Sequence, residues 1–109
     1  MAYKFEWDMG NIDHIINGHP ERGNTVEEVE SVFSDPNLII SANKIDEHGE
    51  QRYSGLGVGN DKDEKFVIFV LRNNKIRPVS CRRANKKERV KYYENIIKNI
   101  WQVKSLHKK

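Results

Sequence analysis

Residues 78–94 read "PVSCRRANKKERVKYYE", an alternating stretch that gives way to a helical one. Asn85 can cap a helix and Glu88, three residues on, can reach back to the cap, so a strand hands over to a helix just after Arg83. Arg82, Arg83, Lys86, Lys87, Arg89 and Lys91 put six basic side chains into ten positions at that junction. Alternation sends Arg82 and Arg83 to opposite faces of the strand end, and the helix start adds unpaired N–H groups, so a phosphate placed there meets guanidinium groups and a positive helix end together. The same run also reads as the solvated face of an amphipathic helix with Glu88 serving only as a cap.

Upstream, "KIRPVSCR" (75–82), "KFVIFVL" (65–71), "QRYSGLGV" (51–58) and "LIISA" (38–42) have the composition of strands. The connectors "RNNK", "GNDKD" and "NKIDEHGE" are turn-rich and short, which implies antiparallel neighbours. "FVIFVL" is apolar on both faces and suits a central strand, whereas Pro78 has no N–H for a ladder and marks an edge or an interruption. Nearer the N-terminus, Asp8 can cap a helix carrying Ile12, Ile15 and Ile16, stopped by Asn17-Gly18. Thr25 and Glu28 have the form of a capping box for a second helix, with Val26, Val29, Val32 and Phe33 at helical spacing up to Asp35-Pro36. In the last helix Val90, Tyr93, Ile97, Ile100 and Trp101 gather on one side, so Tyr93 is expected in the core and Tyr92 is expected to stay available beside Glu88. Ile96 lies off that stripe, and the tail from about residue 105 is expected to fray. The expectation is one α+β domain over residues 1–109: a twisted antiparallel sheet with two N-terminal helices and one C-terminal helix.

Composition narrows the functions available. A chain of 109 residues with 37% hydrophobic content supports one core, and a net charge of only +3 with 32% charged residues makes the basic character local. Cys81 is the sole cysteine, so no internal disulfide is possible, and a buried inert thiol is expected. No apolar run nears the roughly 20 residues that span a bilayer, and "MAYKFEWDMG" lacks the apolar stretch of a secretory signal; a reducing, cytoplasmic setting is expected. His14, His19 and His48 lack the spacing and cysteine partners of a zinc site, so neither metal nor cofactor is expected. Gly55-Leu56-Gly57-Val58-Gly59 precedes a turn and a strand, not a helix, which argues against a dinucleotide loop.

The order "FEWD" (5–8), "NIDHI" (11–15), "TVEEVESVFSDP" (25–36), "GEQRYSGLG" (49–57), an apolar strand and "VSCRRANKKERVKYY" (79–93) resembles the BrnT toxin family, small ribonuclease toxins of bacterial type II toxin–antitoxin pairs with a RelE-like fold. Ser80, Arg82, Arg83, Ala84, Glu88, Arg89 and Tyr92 match that family's closing pattern, with Cys81 at its alanine position. The connector "NGHPERGNT" is longer than the family's, so His19 does not fall on the family histidine. The resemblance implies a metal-independent endoribonuclease acting on RNA, silenced by a small DNA-binding, BrnA-like antitoxin in a hetero-oligomer. When a ribose 2′-hydroxyl attacks its own phosphate, fixed guanidinium groups can stabilise the developing charge. Arg82 and Arg83 are the foremost candidates, with Arg52 as a second clamp if its strand lies beside the last one. Glu88, Tyr92 or a histidine can accept or deliver the protons. Lys86, Lys87, Arg89 and His14 are expected RNA contacts. A non-catalytic module binding nucleic acid or protein through the same patch is the alternative.

Overall fold

The near-continuous apolar run from Phe66 to Leu71 needs cover on both faces, and the chain provides it by making this segment an interior strand. In the computed structural model, which describes residues 3–106, β1 (Ile39–Ile45), β2 (Gln51–Val58), β3 (Glu64–Arg72) and β4 (Lys75–Arg83) form one antiparallel sheet in chain order. Asn73 and Asn74 both have positive φ, 52° and 63°, the combination of a two-residue hairpin turn matched to strand twist. β4 is the edge strand, as Pro78 requires. The register steps from Ile68 opposite Ser80 to Phe69 opposite Pro78, leaving Val79 as the extra residue of a bulge.

One face of the sheet carries Val67, Phe69, Ile76 and Cys81 against Ile15, Val29, Val32 and Phe33 from the N-terminal helices. The expected first helix is α1 (Met9–Ile12) running on into a π-helical turn over Asp13–Asn17, and a 3-10 turn over Pro20–Arg22 precedes α2 (Val26–Val32). Asp8 caps α1 and Asn11 returns the bond, while the Asn11 amide also donates to the Glu6 and Pro78 carbonyls at 3.0 and 3.1 Å. This buried, fully engaged asparagine ties α1 to the β4 edge. The π-turn closes where Gly18 N donates to Asp13 O at 2.7 Å; a Cβ there would stand 3.0 and 3.1 Å from the Asp13 and His14 carbonyl oxygens, so a side chain would crowd the turn that presents His14. At the start of α2, Thr25 caps as expected, but the Glu28 carboxylate turns away to accept from Asp61 N. The loop it holds is locked further by Lys65, whose side chain is only 3% exposed and whose ammonium lies 2.7 Å from Asp61 Oδ2.

The other face is crossed at one end by α3 (Lys86–Leu106), about 31 Å long at 1.5 Å per residue. Its orientation corrects the sequence reading. Val90, Tyr93, Ile97, Ile100 and Trp101 are 48%, 46%, 56%, 51% and 59% exposed, while Tyr92 is 3% exposed and packs with Leu56 and Ala84, joined by Ile96, Ile39 and Val58. The cause lies in the first turn. Glu88 completes the predicted capping box with Asn85 and is also gripped by Arg82 from the sheet, so the residues four and eight beyond it, Tyr92 and Ile96, are turned toward the body. Helix α3 continues to Leu106; the rest of the tail expected to fray lies outside the described residues.

The Tyr92 hydroxyl donates to Asp35 Oδ2, which also accepts from Val58 N at 2.7 Å. Burial first, then the Asp35 carboxylate, push this phenol well above the usual tyrosine range, so the hydroxyl neither meets solvent nor titrates near neutrality. Tyr92→Phe is therefore expected to lower stability by about 1.5–3 kcal/mol, the worth of a hydrogen bond to a charged group, and to leave any catalytic rate unchanged; paired thermal melts and rate measurements check both parts.

Candidate active site

Alternation and register place Arg52, Ser54 and Leu56 of β2, Phe66, Ile68 and Val70 of β3, and Ser80 and Arg82 of β4 on the sheet face away from the N-terminal helices. Arg52 and Arg82 thus share a face although β3 separates their strands, and Arg52 does not lie beside the last strand as the sequence reading required. Arg82 is opposite Phe66, and Arg52 lies near the level of Val70; four residues along the strands and two strand spacings across them set the two backbone positions roughly 16 Å apart.

At the α3 end, the Arg82 guanidinium stacks 4.5 Å from the Phe66 ring centroid. Its Nη1 donates to Glu88 Oε1 at 2.8 Å and to the Arg83 carbonyl at 3.1 Å, and Nη2 donates to Glu88 Oε2 at 2.9 Å. Burial alone would raise the Glu88 pKa, but the Arg82 fork and the Asn85 amide hold the carboxyl below the usual range. Glu88 is therefore a weak proton acceptor whose oxygens are already occupied, and its charge cancels most of that on Arg82. Arg83 points to the opposite face, as alternation predicts, with Asp63 3.6 Å away. Arg89 donates to the Ala84 carbonyl at 2.8 Å. Lys86 and Lys87 are exposed at the start of α3.

At the other end of the face lies a cleft of about 420 Å³, floored by Val70 and walled by Arg52, Arg72, Arg77 and His14, with Asp46 and Glu50 from the β1–β2 hairpin at its rim. Most of its charges are matched. Arg72 makes a fork with Glu50 at 2.9 and 3.0 Å, and Arg77 reaches both Asp8 oxygens at 2.9 and 3.0 Å and Glu6 at 3.1 Å. The fork to Arg77 and the helix cap hold Asp8 below the usual carboxylate range, which explains why "FEWD" is needed to seat α1. Arg52 is the exception. Asp46 Oδ2 is 3.5 Å from its Nε, an ionic contact without a hydrogen bond, and the buried Nε has no acceptor among the described residues. Asp46 is occupied elsewhere, its Oδ1 accepting from His48 N and Glu50 N at 2.9 Å each, which keeps its pKa low.

The imidazole of His14 lines this cleft, and His19, from the long connector, meets it edge-to-face at 5.8 Å between ring centroids. Of the residues singled out in the sequence, the structure puts His14 and Arg52 in the lining of one cleft, pairs Arg82 with Glu88, leaves Lys86 and Lys87 exposed beside the latter pair, and removes Tyr92 from the surface. Sequence reasoning missed Arg72, Arg77 and Asp46, which act only through partners 22 to 71 residues away, or through a turn, and carry no local signature. Among the described residues no three His, Cys, Asp or Glu side chains converge to hold a metal ion, and no helix is long and apolar enough to cross a membrane. Cys81 is buried with its thiol pushed up to about 11 by burial, which makes it inert.

Fold and site together define a small α+β protein with a cation-lined open sheet face. Residues 7–88 match the family model described as ribonuclease toxin, BrnT, of type II toxin–antitoxin system, and the chain belongs to that family. None of the curated proteins compared with the chain matches it. The match ends at Glu88, so nearly all of α3 lies beyond it.

Proposed function

We propose that this chain is a metal-independent endoribonuclease toxin, that its reacting phosphate sits in the Arg52–His14 cleft, and that a BrnA-like, DNA-binding antitoxin neutralises it in a hetero-oligomer. The observation that carries the placement is the Arg52 guanidinium, whose buried Nε lacks an acceptor among the described residues in a cleft that His14 also lines, while the other arginines of this face are matched by carboxylates. A phosphoryl oxygen supplies the missing acceptor. In the reaction the ribose 2′-oxygen bonds to phosphorus and the bond from phosphorus to the 5′-oxygen breaks. Arg52 faces the charge that builds on the phosphoryl oxygens, His14 takes the 2′-hydroxyl proton, and solvent in the open cleft protonates the departing 5′-oxygen. Arg82, held by Glu88 and Phe66, keeps two of its five N–H groups for the neighbouring backbone, and Lys86, Lys87 and Arg89 extend that contact.

The test is cleavage of single-stranded RNA by the purified chain in EDTA. The expected result is undiminished cutting that leaves a 2′,3′-cyclic phosphate, and no cutting of the same sequence as DNA, because the nucleophile belongs to the substrate. Strict dependence on added magnesium, or cleavage of DNA, would remove this mechanism. Tight RNA binding without cleavage would instead identify a binding module.

A further inference from the structure

His14 is exposed on a π-helical turn, and its ring makes no hydrogen bond or ion pair among the described residues. What meets it is His19: the two imidazoles stand edge to face, 5.8 Å between centroids and 88° between planes. His19 is itself held. Glu21 Oε2 lies 3.3 Å from its Nδ1, and because a carboxylate only accepts, that nitrogen carries the hydrogen and donates it. The Glu21 carboxyl is kept below its usual range by its own backbone N–H first, then by His19 and Arg22. The connector that bears both residues is pinned further along. Arg22 Nη1 donates to the Cys81 carbonyl of β4 at 3.2 Å, and the buried Asn24 amide donates to that carbonyl at 2.9 Å and to the Ile15 carbonyl, next to His14 in the chain, at 3.4 Å. The extra residues of "NGHPERGNT" are therefore tied to β4 and to the turn that carries His14.

We infer that His19 is a positioning residue of the cleft: its ring, anchored by Glu21, holds the His14 imidazole in the orientation that lines the cleft, an inference that rests on the reading of His14 as proton acceptor. An exposed imidazole on a turn has several staggered side-chain positions open to it, and its second torsion is broad. Proton transfer needs the ring nitrogen within hydrogen-bond reach of the attacking hydroxyl, so time spent in other orientations is lost to the reaction. The His19 ring removes that freedom on one side of His14, and the cleft lies on another. His19 does not line the cleft, and its Nδ1 hydrogen is given to Glu21, so it acts through His14 and not on the substrate.

The test measures single-turnover cleavage of single-stranded RNA by the full chain, His14→Ala, His19→Ala, the double variant and His19→Phe, together with the NMR shifts of the His14 ring protons. His19→Ala should fold, because Arg22 and Asn24 hold the connector without it. Its saturated rate should fall about tenfold or more, the scale of loss when a reacting group is misplaced, while the RNA concentration for half-saturation stays the same. In the His14→Ala background the same substitution should cost nothing further, since the group it positions is gone. His19→Phe keeps a ring against His14 and should recover most of the rate. The His14 ring signals should move in His19→Ala, where the neighbouring ring current is lost, and remain displaced in His19→Phe. An unaltered rate for His19→Ala beside a slow His14→Ala overturns the inference, as do equal losses in both backgrounds or His14 signals that His19→Ala leaves in place. His14→Ala cutting at the unaltered rate strikes the reading of His14 as proton acceptor, and the inference falls with it. If none of the proteins cuts RNA, the ribonuclease reading fails, and the ring signals alone decide whether His19 holds His14.

Discussion

Arg52→Ala is expected to reduce the RNA cleavage rate by about 10²- to 10³-fold, the range lost when one preorganised donor to a developing oxyanion is removed. The protein should remain folded. Asp46, the carboxylate left behind, keeps the backbone N–H groups of His48 and Glu50, and Arg52 contributes no hydrogen bond whose loss would open the sheet. Circular dichroism together with single-turnover rates separates the two effects. Arg82→Ala serves as the contrasting arm. Because Glu88 already neutralises that guanidinium, its removal should act mainly on affinity, lowering the salt dependence of RNA binding by about one phosphate contact while a saturated rate falls far less. Arg52→Ala cutting at the unaltered rate, with Arg82→Ala inactive, would move the chemistry from the cleft to the strand–helix junction.

Asp61→Ala should cost about 2–3 kcal/mol, on the order of 10–20 °C in melting temperature, by leaving the Lys65 ammonium buried without its partner. The loss falls just below the roughly 3–5 kcal/mol of a fully buried pair because Asp61 keeps 40% of its side chain exposed. Lys65→Met removes the charge as well, and in the Asp61→Ala background it should recover most of the loss. If it does not, the loop from Gly59 to Asp63 is held by something other than this pair. The pH dependence follows from the same contact. Burial works against the ionised form of Asp61, but the hydrogen bonds from Lys65 and Asp63 outweigh it and bring its folded pKa below 3.8, while Glu28 is shifted upward by burial and by Asp61. A depressed carboxyl contributes stability that is fully present above about pH 4 and disappears as the pH falls through the folded value. The unaltered protein should therefore lose stability below pH 4 more steeply than Asp61→Ala, which thermal melts across that range will show.

The sheet was legible from residues alone because each strand announces itself over a few positions. β2 spans the expected residues 51–58, β3 and β4 extend the expected runs by one residue at one or both ends, and Pro78 marks the edge. β1 runs beyond the expected 38–42 to Ile45, since the β-bulge between Ala42 and Ile45 lets polar Asn43 and Lys44 belong to a strand. The capping box of Asn85 and Glu88 closed as written, whereas at Thr25 only half of one formed because Glu28 found a tertiary partner in Asp61. The cleft was half legible. Arg52 and His14 stood out as residue types, but their sharing of one cleft depends on the register of β2 and β3 and on a π-turn over Asp13–Asn17, which no spacing announces.

The sequence by itself determined what is local: strand and helix periods, caps, the Asn73-Asn74 turn, and the opposite directions of Arg82 and Arg83. These depend on steric and hydrogen-bond preferences acting over one to four residues. Only the tertiary structure decided which side of α3 meets the body. Periodicity measures how apolar a helix face is but not what lies opposite it, and here the Arg82–Glu88 fork turns Tyr92 and Ile96 inward at the expense of the more apolar stripe. The pairing of charges was decided at the same level. Arg72, Arg77 and Arg82 each met a carboxylate with fork geometry, Arg52 did not, and that difference follows from distances between strands and loops that composition does not contain.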